Sequence, residues 1–206
     1  MNTLAHLYLS GGDPELVLGN FIGDSIRGDD FNRLSQRVQQ GVLLHRKIDR
    51  FTDAHPIFRQ LSSLMRQDFG RYCPVVTDVF LDHFLARDWD RFHPQPLADY
   101  TRWVTRVLTP RIGACPARSQ RYFHYLSTTD TLLHYRSTRG IGRTLSQMAK
   151  RARFDSGMEK AGEVLSRLYP QLQQGFEDFF ADLAAFADHQ RQLPSLAGPV
   201  AASESG

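Results

Sequence analysis

The chain has 206 residues, 41% of them hydrophobic, and a formal charge of +3, enough apolar content for one domain with a sizeable buried core. No stretch reaches the roughly 20 consecutive apolar residues of a membrane span, and the start "MNTLAHLYLSGGDPE" lacks the positive flank and small-residue cleavage site of a signal peptide, so the cytoplasm is the expected compartment. Cys73 and Cys115 stand apart without metal-ligand spacing, so neither a disulfide framework nor a zinc-thiolate site is indicated and both read as structural.

Nearly every segment has a helical apolar period, and no alternating β-branched run marks a strand. The expected class is all-α: a compact single-domain helical bundle over 1–192, with a small, polar, proline-broken tail over 193–206 expected to be disordered.

The first predicted helix, 2–10, carries His6 among apolar neighbours. The second, 14–27, is opened by an Asp13 cap and Pro14. In its segment "VLGNFIGDSIR", Gly19 and Gly23 are four apart and let another helix come close beside Asn20 and Asp24. The third, 31–52, repeats Leu34, Val38, Val42, His45 and Asp49 at helical spacing, so a histidine and a carboxylate occupy the last places of a buried face. At i and i+4 the two reach one ion.

After a predicted helix over 56–69, the segment "PVVTDVFLDHFLA" in the helix 74–88 is apolar almost all round, with Val75, Val76, Val79, Phe80, Leu81, Phe84 and Leu85 leaving no clear solvent face. Asp78 and Asp82 lie one turn apart on it, within roughly 40° of each other, with His83 on the adjoining side. An unpaired buried carboxylate costs several kcal/mol, so this pair needs a cation, a proton or a metal. The remaining predicted helices are 97–109, 117–127, 129–137, 140–152, 157–168 and 171–191, punctuated by His93-Pro94, Pro110 and Cys115-Pro116.

Taken singly, an inward histidine is more often a hydrogen-bonded core group than a ligand, and a buried aspartate often caps a helix or pairs with an arginine such as Arg46. Four separate helices each placing Asp or His on an apolar strip point instead to a metal site. Asp outnumbers Glu seventeen to five, although Glu is the better helix former, which fits work for short carboxylates. The candidate ligands are His6, Asp24, His45, Asp49, Asp82 and His83. A sulfur-free His and Asp set suits Mn²⁺, with Fe²⁺ and Mg²⁺ as alternatives. Such an ion makes hydroxide available near neutral pH and neutralises phosphoryl oxygens, so phosphoester hydrolysis is the leading reaction class. Asp24, Arg46 and Asp78 are the candidate catalytic groups, Arg46 to hold a phosphoryl oxygen and Asp78 to orient water or a ligand.

Four segments in order, "MNTLAHLYLS", "VLGNFIGDSIRG", "GVLLHRKIDRFTDAHP" and "VVTDVFLDHFLARDW", resemble those of the acyl-carrier-protein phosphodiesterases, and "LSQMAKRARF" resembles a later family segment. The resemblance spans roughly residues 1–155 and implies an enzyme that cuts 4'-phosphopantetheine from the carrier-protein serine, with Mn²⁺ preferred. It also implies an HD-domain-like fold. HD relatives use a spaced His, an adjacent His-Asp pair and a distant Asp, whereas this chain has no His-Asp dipeptide and carries Asp82-His83 in reverse order.

From residue 131 to 154 there is no acid, while Arg136, Arg139, Arg143, Lys150, Arg151 and Arg153 supply six positive charges. Most such runs are solvated helix faces. Because acyl carrier proteins are small and strongly acidic, the resemblance makes Arg139, Arg143, Lys150, Arg151 and Arg153 a docking surface for one. Nucleic acid is not expected, since no aromatic stacking platform stands out beside the run. The competing readings are an HD-like nucleotide phosphohydrolase and a non-catalytic helical module that binds an acidic partner.

Overall fold

A computed structural model describes residues 1–193; apart from Leu193, the tail expected to be disordered lies outside the described residues. The α-helices are α1 (Thr3–Leu9), α2 (Pro14–Ile22), α3 (Asp29–Asn32), α4 (Gln36–Ala54), α5 (Pro56–Leu64), α6 (Arg66–Phe69), α7 (Cys73–Arg87), α8 (Leu97–Ile112), α9 (Ala117–Thr129), α10 (Thr131–His134), α11 (Thr138–Ala149), α12 (Ala161–Arg167) and α13 (Tyr169–Gln192). Short 3₁₀ turns lie at Gly23–Ser25, Gly70–Tyr72, Trp89–Arg91 and Met158–Lys160. No strand occurs among the described residues, as the sequence predicts. No helix there is long and apolar enough to cross a membrane.

Local chemistry explains where helices begin. The Asp13 carboxylate accepts from the Glu15 and Leu16 amides at 2.9 and 3.1 Å, Ser35 caps α4 through Val38 N–H at 3.3 Å, and Ser137 caps α11 through Gly140 N–H at 3.1 Å. These bonds satisfy amide donors that have no partner inside the helix. The boundaries differ from the sequence pattern where such signals intervene. The predicted helix 14–27 stops at Ile22 and tightens into a 3₁₀ turn that carries Asp24. The predicted helix 31–52 is split, because Ser35 starts α4 afresh after the short α3. Pro110 does not end α8, which runs two residues past it to Ile112.

α7 packs against α1, α5, α11 and α13. Its Val76, Phe80, Leu81, Phe84 and Leu85 are fully buried, whereas Val75, in the first turn, is 40% exposed and corrects the expected all-round burial. α13 supplies Phe176, Phe179 and Phe180, and Phe176 stacks on Phe84 at 5.8 Å and on Phe180 at 5.0 Å. Each such aromatic contributes about 1.5–3 kcal/mol by leaving water. This core is the floor on which α1 and the α2–α4 pair stand.

α2 and α4 touch backbone to backbone. A Cβ on Gly19 would strike the Val38 carbonyl oxygen and stand 2.8 Å from Gly41 Cα. The close approach expected from Gly19 is therefore present, and Gly41 is its counterpart on α4. It sets Asn20 of α2 directly against His45 of α4.

Candidate metal centre

His6 and His45 come from α1 and α4, and their rings stack with centroids 4.1 Å apart and planes 23° apart. One atom ties both: Asn20 Oδ1 lies 2.8 Å from His6 Nδ1 and 3.2 Å from His45 Nδ1. The orientation of that amide is fixed, because its Nδ2 donates to the His6 carbonyl at 2.9 Å and to Ser10 Oγ at 2.8 Å. An oxygen can only accept, so each imidazole places its proton on Nδ1 and turns Nε2 the other way.

Both Nε2 atoms face carboxylates. His6 Nε2 is 3.0 Å from Asp49 Oδ1. His45 Nε2 is 3.2 Å from Asp49 Oδ2 and 3.2 Å from Asp24 Oδ1. Asp49 lies one turn after His45 on α4, as the i, i+4 spacing predicts. Asp24 arrives on the 3₁₀ turn because Gly23 has no side chain; a Cβ there would strike the His45 ring. His6, His45 and Asp49 each offer a ligand atom, all within 4.8 Å of one another. The rings are buried, while the Asp24 and Asp49 side chains are 70% and 38% exposed, so the cluster opens to solvent on its acidic side.

The electrostatics are those of a site built around positive charge. Burial lowers the His45 pKa, but the Asp24 and Asp49 carboxylates outweigh it and raise it to about 9. Burial takes His6 down to about 4, helped by the His45 charge and opposed by Asp49. Burial pushes Asp49 upward, yet the His45 and His6 bonds hold it well below the usual carboxylate range. The His45 bond lowers Asp24 as well. Near neutrality His6 is therefore uncharged, and with its Nδ1 proton given to Asn20 its Nε2 lone pair points at a carboxylate oxygen 3.0 Å away. The other neutral tautomer would set Nδ1 against the Asn20 oxygen instead. A cation at Nε2 relieves the conflict. Two imidazole Nε2 atoms pre-oriented by one amide, with carboxylates beside them, fit a divalent ion.

The other candidates lie outside this cluster. Asp82 is fully buried and accepts from the Leu4 and Ala5 amides at 2.8 and 3.1 Å, so it caps α1 from α7 and holds the helix that carries His6. Burial pushes its carboxyl up to about 7 against those two bonds. His83 donates from Nδ1 to the Tyr135 carbonyl at 2.7 Å and accepts from the Tyr169 hydroxyl at 2.9 Å. Both of its nitrogens are used, and burial lowers its pKa. Both residues correct the six-residue ligand set: the shared strip on α7 is real, but its polar groups are satisfied by backbone and tyrosine. Arg46 is a further correction. It points away, donating to the Ile26 carbonyl at 3.0 Å and lying over the Phe31 ring, where it holds the segment after Asp24. Asp78 pairs with the Met1 amino group at 3.2 Å, and that amine also lies 3.4 Å from Asp49 Oδ1. Burial raises Asp78 to about 6, opposed by the amine.

The sequence pattern does not single out Asn20 as the residue that orients both histidines, although it sets Asn20 and Asp24 beside the glycine gap. Nor does it single out Ser10, whose hydroxyl donates to the His6 carbonyl at 2.7 Å. A cleft of about 530 Å³, lined by Tyr8, Phe92, His93, Tyr100 and Trp103 among others, contains none of the cluster residues.

The helical architecture and this histidine–carboxylate cluster define an all-α protein with a metal-compatible centre. The sequence profile described as acyl carrier protein phosphodiesterase matches residues 1–183, and the chain belongs to that family. The relative named acyl carrier protein phosphodiesterase in Yersinia pestis is 29% identical over 192 residues, covering 93% of this chain and 100% of its own length. Its namesake in Serratia proteamaculans is 30% identical over 184 residues, 89% and 95% of the two chains. The one in Escherichia coli O139:H28 is 29% identical over 191 residues, 92% and 99%. No solved structure matches the chain, so the HD-like part of the expected fold rests on the sequence resemblance alone.

Proposed function

We propose that the protein is a divalent-metal-dependent phosphodiesterase that releases 4'-phosphopantetheine from holo acyl carrier protein. The reading rests on one observation above all: the buried, uncharged His6 turns its Nε2 lone pair onto Asp49 beside the matching Nε2 of His45. His6, His45 and Asp49 would hold the ion, and Asp24 stands beside them on the solvent side. When bound, the ion supplies Lewis acidity toward a phosphoryl oxygen and lowers the pKa of a water. Mn²⁺ is the proposed ion, since the donors are nitrogen and oxygen only.

The chain's own residues do the rest. Asn20 keeps both Nδ1 protons in place, so His6 offers a bare Nε2 to the ion and His45 offers its own once the ion displaces the Nε2 proton. Asp24, exposed and lowered by His45, is the carboxylate placed to accept a proton from water. In the balanced reaction water supplies hydroxyl to phosphorus, the bond from phosphorus to the carrier serine oxygen breaks, and that oxygen leaves with a proton. Asp82 and Asp78 act on position: the first anchors α1, the second holds the buried amine against Asp49. Docking of the acidic carrier falls to Arg139, Arg143, Lys150, Arg151 and Arg153.

Incubation with holo acyl carrier protein and Mn²⁺, followed by intact-mass measurement, tests this. Conversion to the apo form, lost on chelation and in His6→Ala and His45→Ala, is the expected result. Holo carrier left intact by metal-loaded protein overturns the reading.

A further inference from the structure

The basic stretch ends in an exposed aromatic. Phe154 is 51% exposed, with the Arg71 guanidinium 4.6 Å and the Arg153 guanidinium 5.4 Å from its ring centroid. Upstream, Arg139, Arg143 and Lys150 fall within about 40° on one face of the helical path, a stripe about 16 Å long. The opposite face buries Ile141 and Leu145 completely, so the stripe faces solvent. Some arginines elsewhere meet carboxylates, among them Arg37 with Asp13, Arg87 with Asp88 and Arg167 with Asp68. Among the described residues Arg71, Arg139, Arg143, Lys150 and Arg153 have no such partner, and the nearest acid in sequence, Asp155, is engaged by the Gly157 amide.

We propose that Phe154 and Arg71 complete a docking clamp for an acidic amphipathic helix of a partner protein, its carboxylates along α11 and an apolar side chain on Phe154. An isolated exposed phenylalanine would mean little. One ringed by unpaired cations at the end of a basic stripe is complementary to an apolar spot rimmed by acids. Single-stranded nucleic acid, which would use the same positive charge and a stacked base, is the rival outcome of the test.

The clamp is also tied to the helix that carries Asp78. The Phe154 amide donates to the Tyr72 hydroxyl at 3.3 Å, fixing it at the start of α7. Asp78, which shares the Met1 amine with Asp49, lies six residues further on, about 9 Å along the helix axis. With the carrier protein as substrate, the reading this inference rests on, a flexible prosthetic arm would run from the clamp to the metal centre.

The test is calorimetric titration of the full chain with an apo acyl carrier protein, which binds without turnover, at low and high salt. Saturable, salt-sensitive binding is expected, weakened about tenfold or more by Phe154→Ala and by the Arg71→Glu, Arg153→Glu pair. His6→Ala should bind as the unaltered protein does. Circular dichroism and melting unchanged in the variants exclude misfolding, and if Phe154→Ala is perturbed, Phe154→Leu replaces it. No binding by the unaltered protein, equal binding by folded variants, or preferred binding of a single-stranded oligonucleotide each overturns the clamp. Holo-carrier turnover is measured alongside. Turnover with an unchanged KM in the variants sinks the clamp and leaves the proposed function standing, while clamp-dependent binding without turnover does the reverse.

Discussion

At the scale of single residues, Asn20 carries the most consequence for its size. Its oxygen receives two imidazole protons and its nitrogen is anchored twice, so Asn20→Ala leaves buried donors unpaired and frees both tautomers. Such supporting residues typically contribute about 10–100-fold in metal affinity. We expect a loss in that range for Mn²⁺ in a binding titration with the fold retained; unchanged affinity would dismiss its orienting role. His45 sets a pH signature. Its folded pKa of about 9 exceeds the unfolded value of about 6.5. Its pairing with Asp24 and Asp49 therefore stabilises metal-free protein fully below about pH 6.5, and the gain fades as pH rises through 9. His6, taken down to about 4, acts in the opposite direction on the acid side. Thermal melts of metal-free protein should fall from pH 7 to pH 9 and flatten in His45→Gln. An ion competes with the His45 proton, so apparent Mn²⁺ affinity should rise over the same window, by about tenfold per pH unit for one displaced proton.

The elements explain why these residues meet. Gly19 and Gly41 let α2 and α4 touch, and Gly23 makes room for the His45 ring. Gly19→Ala forces two backbones apart and should cost about 1–3 kcal/mol as overpacking does. Gly23→Ala presses on one ring and should weaken Mn²⁺ binding more than it lowers the melting temperature. Equal effects of the two on both readouts would refute that division. Asp82 belongs at this scale too, since Asp82→Asn should destabilise α1 while leaving donor chemistry intact. These relations were partly legible in the sequence. The i, i+4 pair His45 and Asp49, the inward His6, Asp24 beside a glycine gap and the buried α7 all follow from helical spacing. The same spacing could not tell a carboxylate facing an ion from one facing two amides, because Asp82 meets α1, which is distant in the chain. Nor could it show that His83 meets Tyr135 and Tyr169. Helix ends were missed where one side chain, Ser35, starts a helix inside a continuous apolar rhythm.

At the scale of the whole molecule, the centre joins pieces that are separate in sequence. α1 brings His6, α2 with its following turn brings Asn20 and Asp24, and α4 brings His45 and Asp49, while α7 fixes α1 through Asp82. An ion that binds only this assembled arrangement stabilises the fold by mass action, about 2.7 kcal/mol at 100 times its Kd. For a chain of this size each kcal/mol moves the midpoint by about 2–4 °C, so saturating Mn²⁺ should raise Tm by about 5–10 °C. His6→Ala and Asp49→Ala should lose that rise. Asp82→Asn should keep it, from a lower starting midpoint, because its role is to hold α1 and not the ion. An unchanged midpoint in the unaltered protein would mean that the cluster is satisfied by protons alone, with His45 charged against its two aspartates as the end state of the fold.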